Sequence, residues 1–370
     1  MKLVYIANKI NGTSGIQRMI AFQINYFIEN YNYEIDLILL EQNEIEDKNF
    51  FELNENVSLH YLKRATTNVK SIYAKIKALN ITLKKIKPQI VVACESDMFS
   101  LYLPRFIKGN FKLIYQRHDT KKLNFEGVNN TAKAKVLNKV KKRLLARAGR
   151  HYDKFVLLSE AHRVDWLRVK NIEIINNPVI INTEKRIAKL ENKQVLAIGR
   201  HDPIKGFDML LKCWKKVAKK HPDWKLIIVG KAAHNLDLLK LAEKLNITDS
   251  VTFKGHTKDV SSIYLDSSIL LCSSRIEAFP LVVMEAMSFG IPVVSFDCDY
   301  GPREIISHAV DGILVPQNNI DIFADSTCHL IKNKHIRKEM GKMASKNIER
   351  FSVEKIMNQW KALFEELVIK

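Results

Sequence analysis

Short apolar segments of strand length alternate with helical patterns along almost the whole of this 370-residue chain. The first strand pattern is LVYIA at residues 3–7, and residues 16–30 then repeat their apolar side chains with the period of a helix. The same succession of strand, loop and helix continues to about residue 160 and begins again at residue 194. Such alternation predicts parallel sheets with helices on both faces, which is the doubly wound α/β fold class.

The alternation is interrupted near residue 180 by the stretch NNPVIINTEKRIAKLENK, which has no clear period. A chain of this length also exceeds what one hydrophobic core usually holds. We therefore expect two doubly wound domains, residues 1–180 and 181–351, followed by a helix at about 352–370. Ligands of such sheets bind at the carboxyl ends of the strands, so polar residues that follow a strand are the candidates for a site.

Lysine and arginine outnumber aspartate and glutamate by 59 to 40, which gives a formal net charge of +19. A chain with this charge is attracted to polyanions: nucleic acid, an anionic bilayer surface or phosphorylated substrates. The five cysteines are scattered, which argues against a zinc site or a disulfide framework and is typical of a reducing compartment. The apolar N-terminal run is too short for a signal peptide, and no run reaches the roughly 20 residues of a membrane span. We expect a cytoplasmic protein that does not span the membrane.

Two glutamates, Glu277 and Glu285, stand between two strand patterns in the last third of the chain. Pro280 lies between them and suits the first position of a helix, where its missing N–H costs nothing. The amides of Leu281 and Val282 would then be unpaired at a helix N-terminus, which favours a phosphate group. Carboxylates do not bind phosphate, but they accept hydrogen bonds from the vicinal hydroxyls of ribose or of a hexose. The alternative is one loop glutamate and one solvated helix glutamate.

Two cations, Arg200 and Lys205, flank a proline-containing turn in AIGRHDPIKGFDML, directly after a strand pattern. At a strand tip that faces a helix N-terminus they predict a clamp for a diphosphate, with a solvated basic turn as the alternative. The loop after the first strand contains Gly12 and Gly15, which allow a ligand to approach the backbone, but it lacks the dinucleotide fingerprint. His118 ends another strand pattern, where a structural and a catalytic histidine are both consistent with the sequence.

Several motifs together resemble glycosyltransferase family 4, the retaining nucleotide-sugar enzymes of GT-B fold. They are GR-x4-KG, the E-x7-E spacing inside EAFPLVVMEAMSFGIPVVSF, then FDCDYGPREII and DGILVP. The resemblance is strong from Val195 to Pro316 and looser before residue 180. It implies two Rossmann-like domains that face a cleft, with the acceptor side on the first and the donor site mainly on the second. It also implies that the C-terminal helix packs back on the first domain.

The same resemblance implies a role for each candidate residue. Arg200 and Lys205 would bind the donor diphosphate. Glu285 would bind the ribose hydroxyls, and Glu277 the hydroxyls of the transferred sugar. The remaining matches are the amides around Pro280, Leu281 and Val282 for phosphate and sugar, His118 for the donor sugar, and Gly15 and Arg18 for the end of the family's G-G-x-x-R loop.

There are two departures from the family pattern. Ser14 stands where the first glycine of the G-G-x-x-R loop is usual, and Ala278 replaces the usual glycine after Glu277. The serine carries a side chain where the family pattern has none, whereas the methyl group of the alanine is small.

The activity implied by the resemblance is transfer of a hexose or N-acetylhexosamine, with retention, from a nucleotide diphosphate sugar to a glycan or lipid-linked acceptor in cell-surface polysaccharide synthesis. UDP is favoured as the nucleotide. The chain offers no clearly positioned nucleophile, and the resemblance implies that the departing diphosphate oxygen takes the acceptor's proton on the same face. No cofactor and no metal are expected, because Arg200 and Lys205 already neutralise the diphosphate.

Alternatives from other classes are a non-catalytic nucleotide-sugar-binding protein, a GT-B epimerase and a basic nucleic-acid binder. The net charge motivates the last of these, but the charge is not interleaved with exposed aromatic residues in a known module. We therefore expect no specific nucleic-acid partner.

The segment from Lys121 to Arg150 contains ten lysines and arginines and one acidic residue. A helix predicted at residues 132–148 has an apolar stripe of Val136, Val140 and Leu144. Because basic amphipathic helices lie on anionic membranes, we expect peripheral association with the inner face of the plasma membrane. The alternative is an ordinary helix whose stripe packs on the sheet and whose basic face is solvated.

Overall fold

The computed structural model describes residues 1–41, 50–62, 69–94, 97–120, 144, 147, 149–181, 183, 186–231, 237–255, 257 and 259–369. The chain divides into two compact units. The first consists of Met1–Asn177 together with Ile356–Lys370, and the second is Pro178–Lys355. The domain boundary expected from the sequence lies near residue 180, and the expected final helix begins at about residue 352.

The first unit contains a seven-stranded sheet in which every neighbouring pair is parallel. The central strand β1 is buried along its apolar run, where Tyr5 lies between Leu37 and Val92 of the two flanking strands. Continuous apolar runs of this kind are typical of strands covered on both faces. The strands are β1 (Lys2–Ala7), β2 (Glu34–Leu39), β3 (Ser58–Tyr61), β4 (Ile90–Ala93), β5 (Lys112–Gln116), β6 (Lys154–Leu157) and β7 (Ile172–Ile174).

Three helices of the first unit precede β5: α1 (Gly15–Tyr31), α2 (Val69–Ile86) and α3 (Met98–Tyr102). One face of α2 packs on the sheet, since its Leu79 and Leu83 share a buried cluster with Val4 and Val91. The basic helix predicted at residues 132–148 lies outside the described residues except for Leu144 and Arg147, which are helical and exposed.

The second unit contains a six-stranded sheet whose neighbouring pairs are again all parallel. Its strands are β8 (Gln194–Ile198), β9 (Lys225–Val229), β10 (Val251–Lys254), β11 (Ile269–Cys272), β12 (Val293–Asp297) and β13 (Gly312–Pro316). Its helices are α4 (Phe207–Lys220), α5 (Leu238–Leu245), α6 (Val260–Leu265), α7 (Leu281–Ser288), α8 (Gly301–Ile305), α9 (Ile320–Lys332) and α10 (Lys334–Asn347).

The two sheets share one strand order. The first runs β3-β2-β1-β4-β5-β6-β7 and the second runs β10-β9-β8-β11-β12-β13. This is the order of a Rossmann-like doubly wound sheet, in which the chain reverses direction across the sheet between β1 and β4, and again between β8 and β11. The predicted fold class of two doubly wound parallel-sheet domains is confirmed.

The last helix, α11 (Val353–Ile369), belongs from Ile356 onwards to the first unit. Phe364 packs against Phe27 of α1 with ring centroids 5.1 Å apart, and Tyr31 donates a hydrogen bond to Asn358 over 3.2 Å. The chain therefore completes its first unit with its last residues.

All five cysteines are buried and carry thiols rather than disulfides. Among the described residues, no helix combines the length and the apolar character needed to cross a membrane.

Two histidines of the first unit are buried, His118 after β5 and His162 in a 3₁₀ turn at Glu160–Asp165. Burial lowers the pKa of His118 to about 4. Burial, assisted by the nearby Arg117 cation, lowers the pKa of His162 to about 4 as well. Both imidazoles are therefore neutral at neutral pH.

Because these buried histidines are neutral, we expect the protein to lose stability in weak acid. In the unfolded chain a histidine takes up a proton near pH 6.5, whereas the folded protein resists it down to about pH 4. The free energy of unfolding should therefore fall across this window, by up to about 3 kcal/mol for each histidine. Scanning calorimetry at a series of pH values measures the fall.

The control is His335→Gln, which changes an exposed histidine in α10. His118→Gln and His162→Gln should each flatten the pH dependence, and His335→Gln should leave it as in the parent protein. If the two buried-site variants follow the parent curve between pH 6.5 and 4, the neutral buried histidines are not its cause.

Candidate active site

The loops after β8 and β11 meet at the point where the strand order of the second sheet reverses. These strands are neighbours, with Ile269 opposite Val195. The loop after β8 forms a 3₁₀ turn at Pro203–Lys205, capped by the side chain of Asp202. Ligands of doubly wound sheets bind at this position, so both loops were candidates for a site.

The two loops are joined by an ion pair between Lys205 and Glu277. Lys205 Nζ lies 2.6 Å from Glu277 Oε1, and the same oxygen accepts a hydrogen bond from Ser274 Oγ over 2.7 Å. Burial acts to lower the pKa of Lys205, but the Glu277 carboxylate, together with Cys272 and Asp202, raises the pKa above its usual value. Both hydrogen bonds recorded for the Glu277 carboxylate within the described part of the chain go to Oε1, which leaves Oε2 to accept from a ligand.

A glycine makes this contact sterically possible. Gly206 has a φ of +65°, and a Cβ there would overlap the carbonyl oxygen of Ser273. Ser273 Oγ in turn donates to the carbonyl oxygen of Lys205 over 2.9 Å. The Lys-Gly pair of the GR-x4-KG motif therefore brings the backbone of one loop directly against the other.

Arg275 is a residue that the sequence argument missed. Its guanidinium donates two hydrogen bonds to Asp208 in the first turn of α4, over 2.8 and 2.7 Å, and a third to the carbonyl oxygen of Pro203. Its backbone N–H also donates to Ile204 over 2.7 Å. Arg275 thus fixes the loop that carries Glu277 onto the turn that carries Lys205. The available signal was an arginine two residues before Glu277, just after a buried strand, and an acidic residue in the turn that follows Gly206.

The N-terminus of α7 differs by one position from the prediction. Pro280 is the N-cap of the helix and not its first helical residue, because its ψ of 106° is extended. Leu281 and Val282 begin the helix, and among the described residues no acceptor is recorded for their amides. The first-turn amides of a helix have no partner within the helix, and open amides of this kind favour an anion.

Glu285 lies inside α7 and is only 5% exposed, so it is not a solvated helix residue. Its Oε2 accepts a hydrogen bond from Tyr264 Oη of α6 over 2.8 Å. The Tyr264 ring stacks on Phe289 with centroids 5.2 Å apart, which fixes the hydroxyl that holds the carboxylate. Tyr264 is a second residue that the sequence argument missed, because it lies 21 residues away with no local signal.

Arg200 behaves differently from Lys205. Its side chain is 65% exposed and pairs with Asp202 over 3.0 Å. No contact among the described residues joins it to Lys205 or Glu277. The structure therefore holds Lys205 in contact with the neighbouring loop and leaves Arg200 as an exposed cation on its own loop.

The other predicted residues belong to the first unit. Gly15 begins α1, and Ser14 is its N-cap, because Gln17 N–H donates to Ser14 Oγ and Ser14 N–H donates to Gln17 Oε1. This capping box explains the serine that replaces a glycine. Arg18 lies in the first turn of α1 and is partly buried. His118 is 6% exposed, and its Nε2 has no hydrogen-bond partner in the part of the chain that the structure describes.

An Asp-x-Asp spacing begins at the last residue of β12, with Asp297 and Asp299. The Asp297 carboxylate accepts two hydrogen bonds from Arg303, each over 2.9 Å. In the described ranges, no group of three or more His, Cys, Asp or Glu side chains lies close enough to hold a metal ion.

Two Rossmann-like doubly wound sheets in one chain are the architecture of the GT-B class. The family model described as "Glycosyl transferases group 1" matches residues 180–347. An uncharacterized glycosyltransferase of Haemophilus influenzae is 31% identical over 371 residues, which cover 98% of this chain and 99% of that protein. The chain belongs to the group 1 glycosyltransferases.

Two further comparisons extend over the whole chain. The amylovoran biosynthesis glycosyltransferase AmsD of Erwinia amylovora is 26% identical over 372 residues, which cover 97% of this chain and 98% of that protein. The crystal structure of an S. aureus TarM mutant, in complex with Fondaparinux, alpha-GlcNAc-glycerol and UDP, matches with a TM-score of 0.81 and 18% identity. This match covers 98% of this chain and 99% of that one, and it confirms the predicted GT-B fold.

The contacts of Arg275 predict a positioning role. Arg275→Met should lower kcat for sugar transfer by roughly 10- to 100-fold, because a displaced Glu277 loop misaligns the groups that contact the substrate. Asp208→Asn should have a similar effect, and the double variant should be no worse than either alone. Steady-state kinetics, with the melting temperature measured in parallel, checks this.

The control is Lys193→Met, which breaks an ion pair to Asp223 at the amino ends of β8 and β9, the opposite ends of these strands from the candidate site. Arg275→Lys should recover little activity, since lysine does not reproduce a bidentate pair. Unchanged kcat in Arg275→Met, or additive losses in the double variant, would contradict the positioning role.

Proposed function

We propose that this protein is a retaining glycosyltransferase of family 4. It transfers a hexose or N-acetylhexosamine from a UDP-sugar to a lipid-linked glycan acceptor in cell-surface polysaccharide synthesis. The observation that carries the proposal is the contact between Lys205 and Glu277 at the strand-order reversal of the second sheet. This contact places a cation for the diphosphate next to a carboxylate for the sugar hydroxyls, and a nucleotide sugar carries these two groups side by side.

In this proposal the nucleotide diphosphate part of the donor is held by four groups of the second unit. Lys205 and the first amides of α7 bind the diphosphate, with Arg200 as a further cation from the exposed end of its loop. Glu285, held by Tyr264, accepts hydrogen bonds from the ribose hydroxyls. The UDP in the TarM complex supports uridine as the nucleotide, since that protein shares the fold.

The transfer step follows from these positions. The bond between the anomeric carbon and the phosphate oxygen breaks, and a bond to the acceptor oxygen forms on the same face of the sugar. The departing phosphate oxygen takes the acceptor's proton, so no enzyme nucleophile is required. Lys205 and the helix amides stabilise the charge that develops on the leaving group. Glu277 orients the sugar through its hydroxyls.

The acceptor side of the proposal rests on the relatives and on the charge of the chain. AmsD is named for amylovoran biosynthesis, which supports a surface polysaccharide as the product. In this proposal the enzyme binds a glycan that grows on a lipid carrier at the inner face of the plasma membrane. The excess of cations in this chain would favour that anionic surface.

Removing the donor contacts tests this function. We expect transfer from a UDP-sugar to fall at least about 100-fold in each of three variants, Lys205→Ala, Glu277→Gln and Glu285→Ala. Each variant removes a side chain that stabilises charge or orients the donor in the transition state. Donor panels with labelled UDP-sugars, a lipid extract as acceptor and mass spectrometry of the products provide the measurement.

The matched controls are Lys193→Ala and Glu349→Ala, which remove exposed side chains of the same types from the second unit. Full activity in Lys205→Ala and Glu285→Ala would reject the site. Donor binding without transfer would favour a nucleotide-sugar-binding protein, and conversion of the donor sugar without an acceptor would favour an epimerase.

Metal removal gives a separate test. Lysine, arginine and amide groups would neutralise the diphosphate, so we expect the transfer rate to be unchanged in excess EDTA. If activity is lost in EDTA and returns when Mg²⁺ or Mn²⁺ is added, the site also requires a metal ion, and this part of the proposal is wrong.

A further inference from the structure

Almost all of the net charge of this protein lies in one segment. Residues 63–150 contain 22 lysines and arginines but four aspartates and glutamates, a net of +18 out of the +19 of the whole chain. The remaining residues are close to neutral as a set. The charge is therefore a property of part of the first unit, and a polyanionic partner should be met there.

Helix α2 is the longest element of that segment in the described ranges, and it has two distinct faces. Leu79, Leu83 and Ile86 are buried against the sheet. The opposite face has no acidic residue and repeats every three or four positions, which aligns its members along the helix. We call it the α2 outer face, and its members are Lys70, Tyr73, Lys77, Ile81, Lys84 and Lys85, all exposed.

Two large apolar side chains stand out on this face. Tyr73 is 69% exposed and Ile81 is 60% exposed, and they lie two helical turns apart with Lys77 between them. An isoleucine side chain exposed to water contributes no hydrophobic stabilisation, whereas its transfer into an apolar phase would be favourable.

Lys75, the remaining lysine of α2, has a different environment from the lysines of the α2 outer face. Its side chain is turned inward, and its Nζ lies 5.3 Å from the centroid of the Phe99 ring and 4.0 Å from Glu41. Burial lowers its pKa. By contrast, no ion pair within the described residues involves Lys70, Lys77, Lys84 or Lys85, so these cations are directed to solvent.

The basic surface continues beyond the helix. Asn80 Nδ2 donates to the carbonyl oxygen of Phe106, and Lys108 N–H donates to Asn80 Oδ1, each over 2.9 Å. These contacts attach the turn at Leu103–Arg105 beside α2, where Arg105 and Lys108 are both exposed.

We propose that the α2 outer face docks the protein on an anionic phospholipid bilayer. The lysine ammonium groups lie at the level of the lipid phosphates, with their alkyl stems along the surface. Tyr73 and Ile81 enter the region between headgroups and acyl chains. The proposal deepens the proposed function, because it names the surface through which the enzyme would meet a membrane. A soluble phosphate polymer or a nucleic acid would use the lysines but would leave Ile81 in water.

Vesicle flotation tests the charges. The parent protein should bind vesicles of phosphatidylglycerol and phosphatidylcholine at low salt and should not bind pure phosphatidylcholine. Changing Lys70, Lys77, Lys84 and Lys85 to Gln should weaken partitioning by roughly fivefold for each lysine, and so at least about 100-fold in total. The control changes Lys212, Lys215, Lys219 and Lys244 to Gln, which removes equal charge from exposed positions of α4 and α5 and should leave binding unchanged.

A fluorescent reporter tests the apolar contact. All four native tryptophans are buried, so a new one on the surface can be distinguished from them. In Ile81→Trp, anionic vesicles should shift the added emission to the blue, and brominated lipid should quench it. Leu239→Trp is the control, since Leu239 is 61% exposed on α5 of the other unit, and it should show neither effect.

Several results would overturn the proposal. They are no flotation of the parent protein, flotation that the α2 lysine changes leave intact, and an Ile81→Trp emission that vesicles do not alter. Equal binding of polyphosphate and vesicles without quenching would point to a polymeric anion. These measurements involve no sugar transfer. Failure of docking therefore stays distinct from failure of the proposed function, which a water-soluble acceptor would still report.

Discussion

The ion pair between Lys205 and Glu277 connects two loops whose residues are 72 positions apart in the sequence. Parallel pairing of β8 with β11 places those loops side by side before any side chain contributes. The close approach of Gly206 to Ser273 then sets their separation, and Arg275 holds one loop on the other. Without this arrangement Lys205 would be a largely buried cation with no partner, which is strongly destabilising. The site therefore depends first on the sheet topology and then on one ion pair.

The same ion pair has capacity left for a ligand. An ammonium group has three donors and a carboxylate has two oxygens, and within the described residues the pair uses one donor and one oxygen. A donor for phosphate and an acceptor for hydroxyls thus remain next to each other. A nucleotide sugar presents the same adjacency, because its anomeric carbon is bonded directly to the diphosphate. This correspondence is the physical reason that the pair supports a donor site better than a site for phosphate or sugar alone.

Much of the fold followed from sequence patterns, because most strands are buried on both faces and read as apolar runs. The patterns missed three strands, β3, β7 and β13, which are edge strands of the two sheets. In β3 and β7 the short segments SLHY and IEI mix apolar with polar residues. The site was predictable as a set of residues after strands. Its contacts were not, since the pairing of Glu285 with Tyr264 and of Arg275 with Asp208 depends on tertiary packing. Nor did the local pattern reveal that Glu285 is buried, because a helical glutamate has the same sequence signature on either face.

The cations of this chain fall into two physical groups. Several in the second unit are paired, as Arg275 is with Asp208, Lys216 with Asp321 and Lys220 with Asp325. Paired charges fix geometry, and their fields largely cancel at a distance. The lysines on the α2 outer face have no carboxylate partner among the described residues, so their fields add. An unpaired cationic face contributes little to folding, and its field acts on whatever anion approaches it. In the proposed function this uneven distribution of charge separates two tasks along one chain: short-range orientation of a small anionic donor, and long-range attraction to an extended anionic surface.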